Sequence, residues 1–99
     1  MRVQLTIRAK IDIEDIHSFS VDRWGREQAD RYRERLFSAL TLLESQPFLG
    51  ARVPEMSPEV RVLRVQQHNA VYRVERDSIV VMRLIHVRRV LPTLNPQEL

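Results

Sequence analysis

The side chains able to do chemistry in this chain are mostly arginines. Lys10 is the only lysine and the other fifteen basic residues are Arg. A guanidinium presents a rigid, planar fork of donors that suits carboxylate or phosphate. Arg64, Arg73, Arg83, His86, Arg88 and Arg89 fall in the C-terminal half of the chain and form the candidate binding set. They are not one patch by sequence alone, since strand alternation turns Arg64 away from neighbouring Arg61. Arg83 interrupts the apolar run Ile79-Val80-Val81-Met82-Arg83-Leu84-Ile85. A cation in so apolar a strand needs a counter-charge. That is either an internal acid such as Glu75, already two positions from Arg73, or an acid on a binding partner.

The remaining candidates read as structural. His17, His68 and His86 are far apart and lack metal-ligand spacing, so no metal site is expected. Cations beside His86 disfavour its charged form, and a hydrogen-bonded structural role is expected there. Asp12, Glu14 and Asp15 cluster near a helix start, where negative charge is stabilising without any catalytic duty. Tyr72 lies mid-strand with no base beside it, which argues against a catalytic acid. Without cysteine there is neither disulfide nor thiolate chemistry. No catalytic residue and no cofactor are expected.

These groups must be positioned by 99 residues, enough for one domain over positions 1–99 with one core. The apolar fraction of 43% and charged fraction of 29% are ordinary for a globular protein. A net charge of +3 favours an acidic partner or nucleic acid without requiring either. Met-Arg-Val-Gln-Leu-Thr carries no leader-like apolar run, and Ile79 to Met82 is too short to span a bilayer, so the cytoplasm is expected and a membrane is not.

Val3 and Leu5 alternate in a short strand over Arg2 to Leu5. Thr6 can cap a helix whose Ala9, Ile13, Ile16 and Ser20 share one face, ending at Trp24-Gly25. A second helix over 26–45 has the stripe Ala29, Tyr32, Leu36, Ala39, Leu40 and Leu43, with Glu27 and Arg31 paired outside. Positions 46–59, broken by Pro47, Gly50, Pro54 and Pro58, read as irregular. Strands over 60–66, 70–75 and 79–86 follow with short turns, hence as an antiparallel meander. The last is apolar enough to lie inside the sheet. The first strand should add to a sheet edge. Trp24, Tyr32 and Tyr72 are expected as core aromatics, the tyrosine hydroxyls at the core's edge. Residues 90–99 are expected to be extended or mobile. The fold class is α+β: a small antiparallel sheet packed on an N-terminal helical hairpin, in the order β-α-α-β-β-β.

Five segments in this order resemble the ParE/RelE toxin superfamily, and its ParE branch in particular. They are Ala9-x-x-Asp12-Ile13-x-x-Ile16, Arg23-Trp24-Gly25-x-x-Gln28-Ala29-x-x-Tyr32, Pro47-x-x-Gly50, His68-x-x-Val71-Tyr72-Arg73-Val74, and Val81-x-Arg83-Leu84-Ile85-His86-x-Arg88-Arg89. The resemblance implies a toxin of a type II toxin–antitoxin pair, held in a hetero-oligomer by a ParD-like antitoxin. One branch of the superfamily cuts messenger RNA on the ribosome, using cations on the sheet and a Tyr or His near the C-terminus. Here Asn69 stands where that branch has Arg, and no Tyr, His or Lys follows Arg89. The resemblance therefore implies a non-enzymatic inhibitor of DNA gyrase without direct nucleic-acid binding. A ribosome-dependent ribonuclease, or a non-toxic antitoxin-binding module, is the alternative. The C-terminal end is a candidate toxicity element.

Overall fold

The computed structural model describes residues 1–89; the expectation for 90–99 lies outside them. Strand β1 (Arg2–Leu5) leads into helix α1 (Ile7–Trp24), which turns at Gly25 into α2 (Arg26–Leu42). Strands β2 (Ala51–Arg52), β3 (Val60–Val65), β4 (His68–Val74) and β5 (Ser78–His86) follow. They form one sheet in the order β1-β5-β4-β3-β2.

Two sequence expectations are corrected here. The sheet is mixed, because β1 pairs parallel to β5, with Val3 opposite Ile79. The helical hairpin explains this: it returns the chain to the end where β1 began, so that the Met1 ammonium donates to Glu44 O at 2.9 Å. A three-strand meander starting from that end finishes pointing the same way as β1. The segment 46–59 also contains β2, antiparallel to β3 through Ala51–Val62 and Arg52–Arg61. Two residues are too few for alternation to be read.

Thr6 caps α1 as its position predicts, its Oγ1 accepting from Ala9 N at 3.0 Å. The same hydroxyl donates to Met82 O, and Thr6 N donates to Val81 O, each at 3.0 Å. Beyond this point β1 has ended and the edge of β5 would be bare. Asp12, one turn along α1, accepts from Leu84 N at 3.0 Å and takes over the role of an edge strand. Glu44 does the same at the other edge of β1, accepting from Val3 N at 3.2 Å.

The apolar run of β5 divides between two faces. The register shifts between Val71, opposite Arg83, and Tyr72, opposite Val81, leaving Met82 as an extra residue in β5. Ile79, Val81 and Leu84 consequently all face the helices, packing with Ala9, Ile13, Leu40, Leu43, Ala70 and Tyr72. Val80, Met82 and Ile85 lie with Val60, Val71 and Met56 in a second cluster. Without the extra residue, strict alternation would put Leu84 in the second cluster and Ile85 in the first.

Arg83, beside that bulge, is 5% exposed. Its counter-charge is Asp12, not Glu75: Arg83 Nε donates to Asp12 Oδ2 at 2.9 Å, and Arg8 Nε lies 3.4 Å from Oδ1. Glu75 instead pairs with Arg73, at 2.7 Å. Asp12 is thus the junction between α1 and the sheet.

Candidate partner-binding cleft

The loop before β2 is held by one hydroxyl. Tyr72 Oη donates to Pro47 O at 2.9 Å and accepts from Gly50 N at 2.8 Å. A Cβ on Gly50 would lie 2.7 Å from that oxygen and 2.8 Å from Val62 O, so the close approach requires glycine. The Pro47-x-x-Gly50 and Val71-Tyr72-Arg73 segments, read separately in the sequence, are two halves of one contact. Arg61 adds a bond from Nη1 to Gly50 O at 2.7 Å and stacks on Phe48 with 5.0 Å to the ring centre. Burial pushes the Tyr72 hydroxyl pKa upward.

The opposite end of the molecule carries a cleft of about 880 Å³. It lies between the tip of the helical hairpin, the β3–β4 turn and the end of β5. Its aromatic wall is Phe19 and Trp24, edge to face at 6.1 Å with Arg23 across both rings. Trp24 is 54% exposed and Phe19 58%, so the expectation of Trp24 as a core anchor is corrected. The reason is length. The 18 residues of α1 span about 27 Å, whereas β5 continues only from Arg83 to His86 beside it, about 13 Å. The far end of the hairpin overhangs the sheet. His17 Nε2 and Asp30 Oδ1, 2.7 Å apart, hold the two helices together there, and that hydrogen bond lowers the Asp30 pKa.

At the base of the cleft, Tyr32 Oη lies 2.6 Å from His68 Nδ1 and accepts from Gln67 N at 3.3 Å. Tyr32 is half-buried with its hydroxyl at the rim, as its place on the α2 stripe suggests. His68 stands directly opposite His86 across the β4–β5 pair, the rings edge to face at 5.3 Å. Burial, and then the neighbouring His86, depress the His68 pKa to about 4. His86 Nδ1 accepts from Arg88 N at 3.1 Å.

Of the candidate binding residues, only His86 lines this cleft. Arg64 is exposed on β3, its Nε donating to Gln66 O at 2.8 Å. Arg88 and Arg89 are exposed just past β5, where Arg89 N donates to His86 O at 2.9 Å. Arg73 sits toward the other end, opposite Val60, and Arg83 is enclosed. Sequence reasoning missed Phe19, Trp24, Tyr32, His68 and Arg35 as cleft residues. The readable signal was an α1 longer than the strand it packs beside. Among the described residues, no three His, Asp or Glu side chains gather as a metal site, and no helix is long and apolar enough to cross a membrane.

Comparison with known proteins adds four findings. A family model described as the ParE toxin of type II toxin-antitoxin system, parDE, matches residues 3–91. Toxin ParE1 of Mycobacterium tuberculosis is 32% identical over 88 residues, covering 88% of this chain and 90% of that protein. Toxin ParE1 of Caulobacter vibrioides is 30% identical over 83 residues, covering 84% and 85% respectively. A chain from the solved structure titled "Chromosomal ParDE TA system from P. aeruginosa" superposes with a TM-score of 0.77 at 26% identity, covering 88% of this chain and 96% of that one.

Proposed function

The chain belongs to the ParE toxin family of type II toxin–antitoxin systems, and from that premise we propose that it arrests growth in the cytoplasm by inhibiting DNA gyrase, without catalysis, and is neutralised by a ParD-like antitoxin. The observation that carries the non-catalytic reading is the use made of its polar sheet residues. RNA cleavage needs free cations for the phosphorane charge and groups that accept and give protons. The Arg83 guanidinium is buried against Asp12, and the Tyr72 hydroxyl is used twice, by Pro47 and Gly50. Both are committed to holding the fold. Asn69, half-buried opposite Ile85, supplies no cation.

The antitoxin reading is supported by the similarity to a chain of a solved structure titled a ParDE TA system. Expression of this chain alone, followed by parallel assays of the DNA-damage response and of protein synthesis, tests the target. DNA-damage induction preceding any fall in translation is expected. Immediate translation arrest with cut messenger RNA would replace the gyrase reading with the ribonuclease one.

A further inference from the structure

The loop before β2 holds two large apolar side chains in solvent on a fixed backbone. Phe48 is 63% exposed and Leu49 44%. Five hydrogen bonds meet the stretch Pro47 to Gly50. Leu49 N donates to Gln46 O at 3.2 Å, and Tyr72 Oη bonds both Pro47 O and Gly50 N. Arg61 Nη1 donates to Gly50 O at 2.7 Å and to Phe48 O at 3.4 Å. The same guanidinium covers one face of the Phe48 ring, 5.0 Å from its centre. Scattered exposed apolar residues are common and carry no message. An adjacent pair on a backbone bonded this heavily is different, because its order is set before any partner arrives.

Charge beside this tip is uncompensated. Arg52 stands directly opposite Arg61 in the β2–β3 pair, where like charges repel. Among the described residues Arg52 meets no carboxylate, and the Arg61 guanidinium bonds only those two carbonyl oxygens. Carboxylates on a partner would relieve the repulsion. An aromatic ring backed by Arg is also the composition of protein-contact hot spots. Nucleic acid fits less well. Leu49 has no ring to stack on a base, one face of Phe48 is taken, and two guanidiniums are few for a run of phosphates. The tip lies at the opposite end from the Phe19–Trp24 cleft, so a partner here leaves that cleft open.

We propose that Phe48 and Leu49 are the tip by which the toxin grips the protein it inhibits, seated in an apolar pocket whose rim offers carboxylates to Arg52 and Arg61. This rests on the reading of the chain as a toxin with a protein target. The test pairs growth arrest on expression with inhibition of purified gyrase by the purified chain. Phe48→Ser and Leu49→Ser are each expected to need about tenfold more protein for half-inhibition of supercoiling, and to arrest growth correspondingly less. Leu49→Ser leaves the Arg61–Phe48 stack in place, so its effect is not that of a loosened loop. Arg52→Glu is expected to weaken inhibition about tenfold while keeping or raising the melting temperature, since it converts a like-charge pair into an ion pair. Variants that inhibit and arrest like the parent would overturn the proposal and leave the gyrase reading standing. A parent that arrests growth without affecting supercoiling removes the gyrase reading, and growth arrest by the variants then decides the tip. A parent without growth arrest removes the toxin reading and the tip proposal together. Three other results would give the tip a different occupant and overturn the proposal. They are a parent dimer that Phe48→Ser makes monomeric in sedimentation, duplex DNA bound by the parent and released by Phe48→Ser, and variants that arrest growth fully but escape a coexpressed ParD-like antitoxin.

Discussion

Asp12 Oδ2 accepts from Arg83 Nε at 2.9 Å across the junction of α1 and β5, joining residues 71 positions apart. The same oxygen accepts from Leu84 N at 3.0 Å. One carboxylate therefore neutralises the cation that interrupts the most apolar strand and completes the edge that β1 leaves open.

Removing that carboxylate leaves a buried guanidinium and a bare edge amide. Asp12→Ala is expected to destabilise the protein by about 3–5 kcal/mol. Replacing both partners with apolar residues, Asp12→Leu with Arg83→Met, is expected to cost less than Asp12→Ala alone. Urea unfolding of the single and double variants measures this. A loss below about 1 kcal/mol for Asp12→Ala would mean that the pair is dispensable.

Tyr72→Phe removes the donor to Pro47 O and the acceptor for Gly50 N, with an expected cost of about 1–3 kcal/mol. Gly50→Ala is expected to be at least as damaging, because its Cβ meets backbone oxygen Val62 O as well as the tyrosine. If Gly50→Ala were rescued by Tyr72→Phe, the clash with the hydroxyl alone would be responsible.

His68 gives a dependence on pH whose sign is fixed. Its pKa falls from 6.5 to about 4 on folding, through burial first and His86 second. Below pH 6.5 the unfolded chain binds a proton that the folded one refuses, so the contribution is present above pH 6.5 and is lost as pH falls toward 4. Allowing for the ring's partial exposure, the loss is about 1–2 kcal/mol. Comparing unfolding midpoints at neutral pH and near the folded pKa, for the parent and His68→Gln, isolates it. An equally steep fall in the variant would assign the effect to other groups.

Trp24→Ala is expected to change stability by less than about 1 kcal/mol, since the ring stands on the overhanging hairpin and not in the core. Thermal unfolding decides this. A loss of the size seen for a buried aromatic would restore Trp24 to a packing role.

Much of the fold was legible because its signals are local. The Thr6 cap, the face of Ala9, Ile13 and Ser20, and the turn at Gly25 each depend on neighbours within a few residues. What was not legible depends on distant pairing. The direction of β1 follows from where the helical hairpin returns the chain, and the counter-charge of Arg83 comes from a helix that the sequence alone did not place beside β5. Asp12 reads as one acid in a cluster near a helix start because Glu14 and Asp15 accompany it. The cleft escaped notice for a related reason: Trp24 looks like a core residue until the length of α1 is set against the sheet beneath it.

The most direct test of the functional account is a DNA cleavage and supercoiling assay with purified gyrase and purified toxin, run with an Arg89→Ala variant beside a translating extract. Loss of supercoiling with accumulation of broken DNA, and intact messenger RNA in the extract, is the predicted result. Unchanged supercoiling at saturating toxin, with message cut in the extract and that cutting lost in the Arg89→Ala variant, would contradict it.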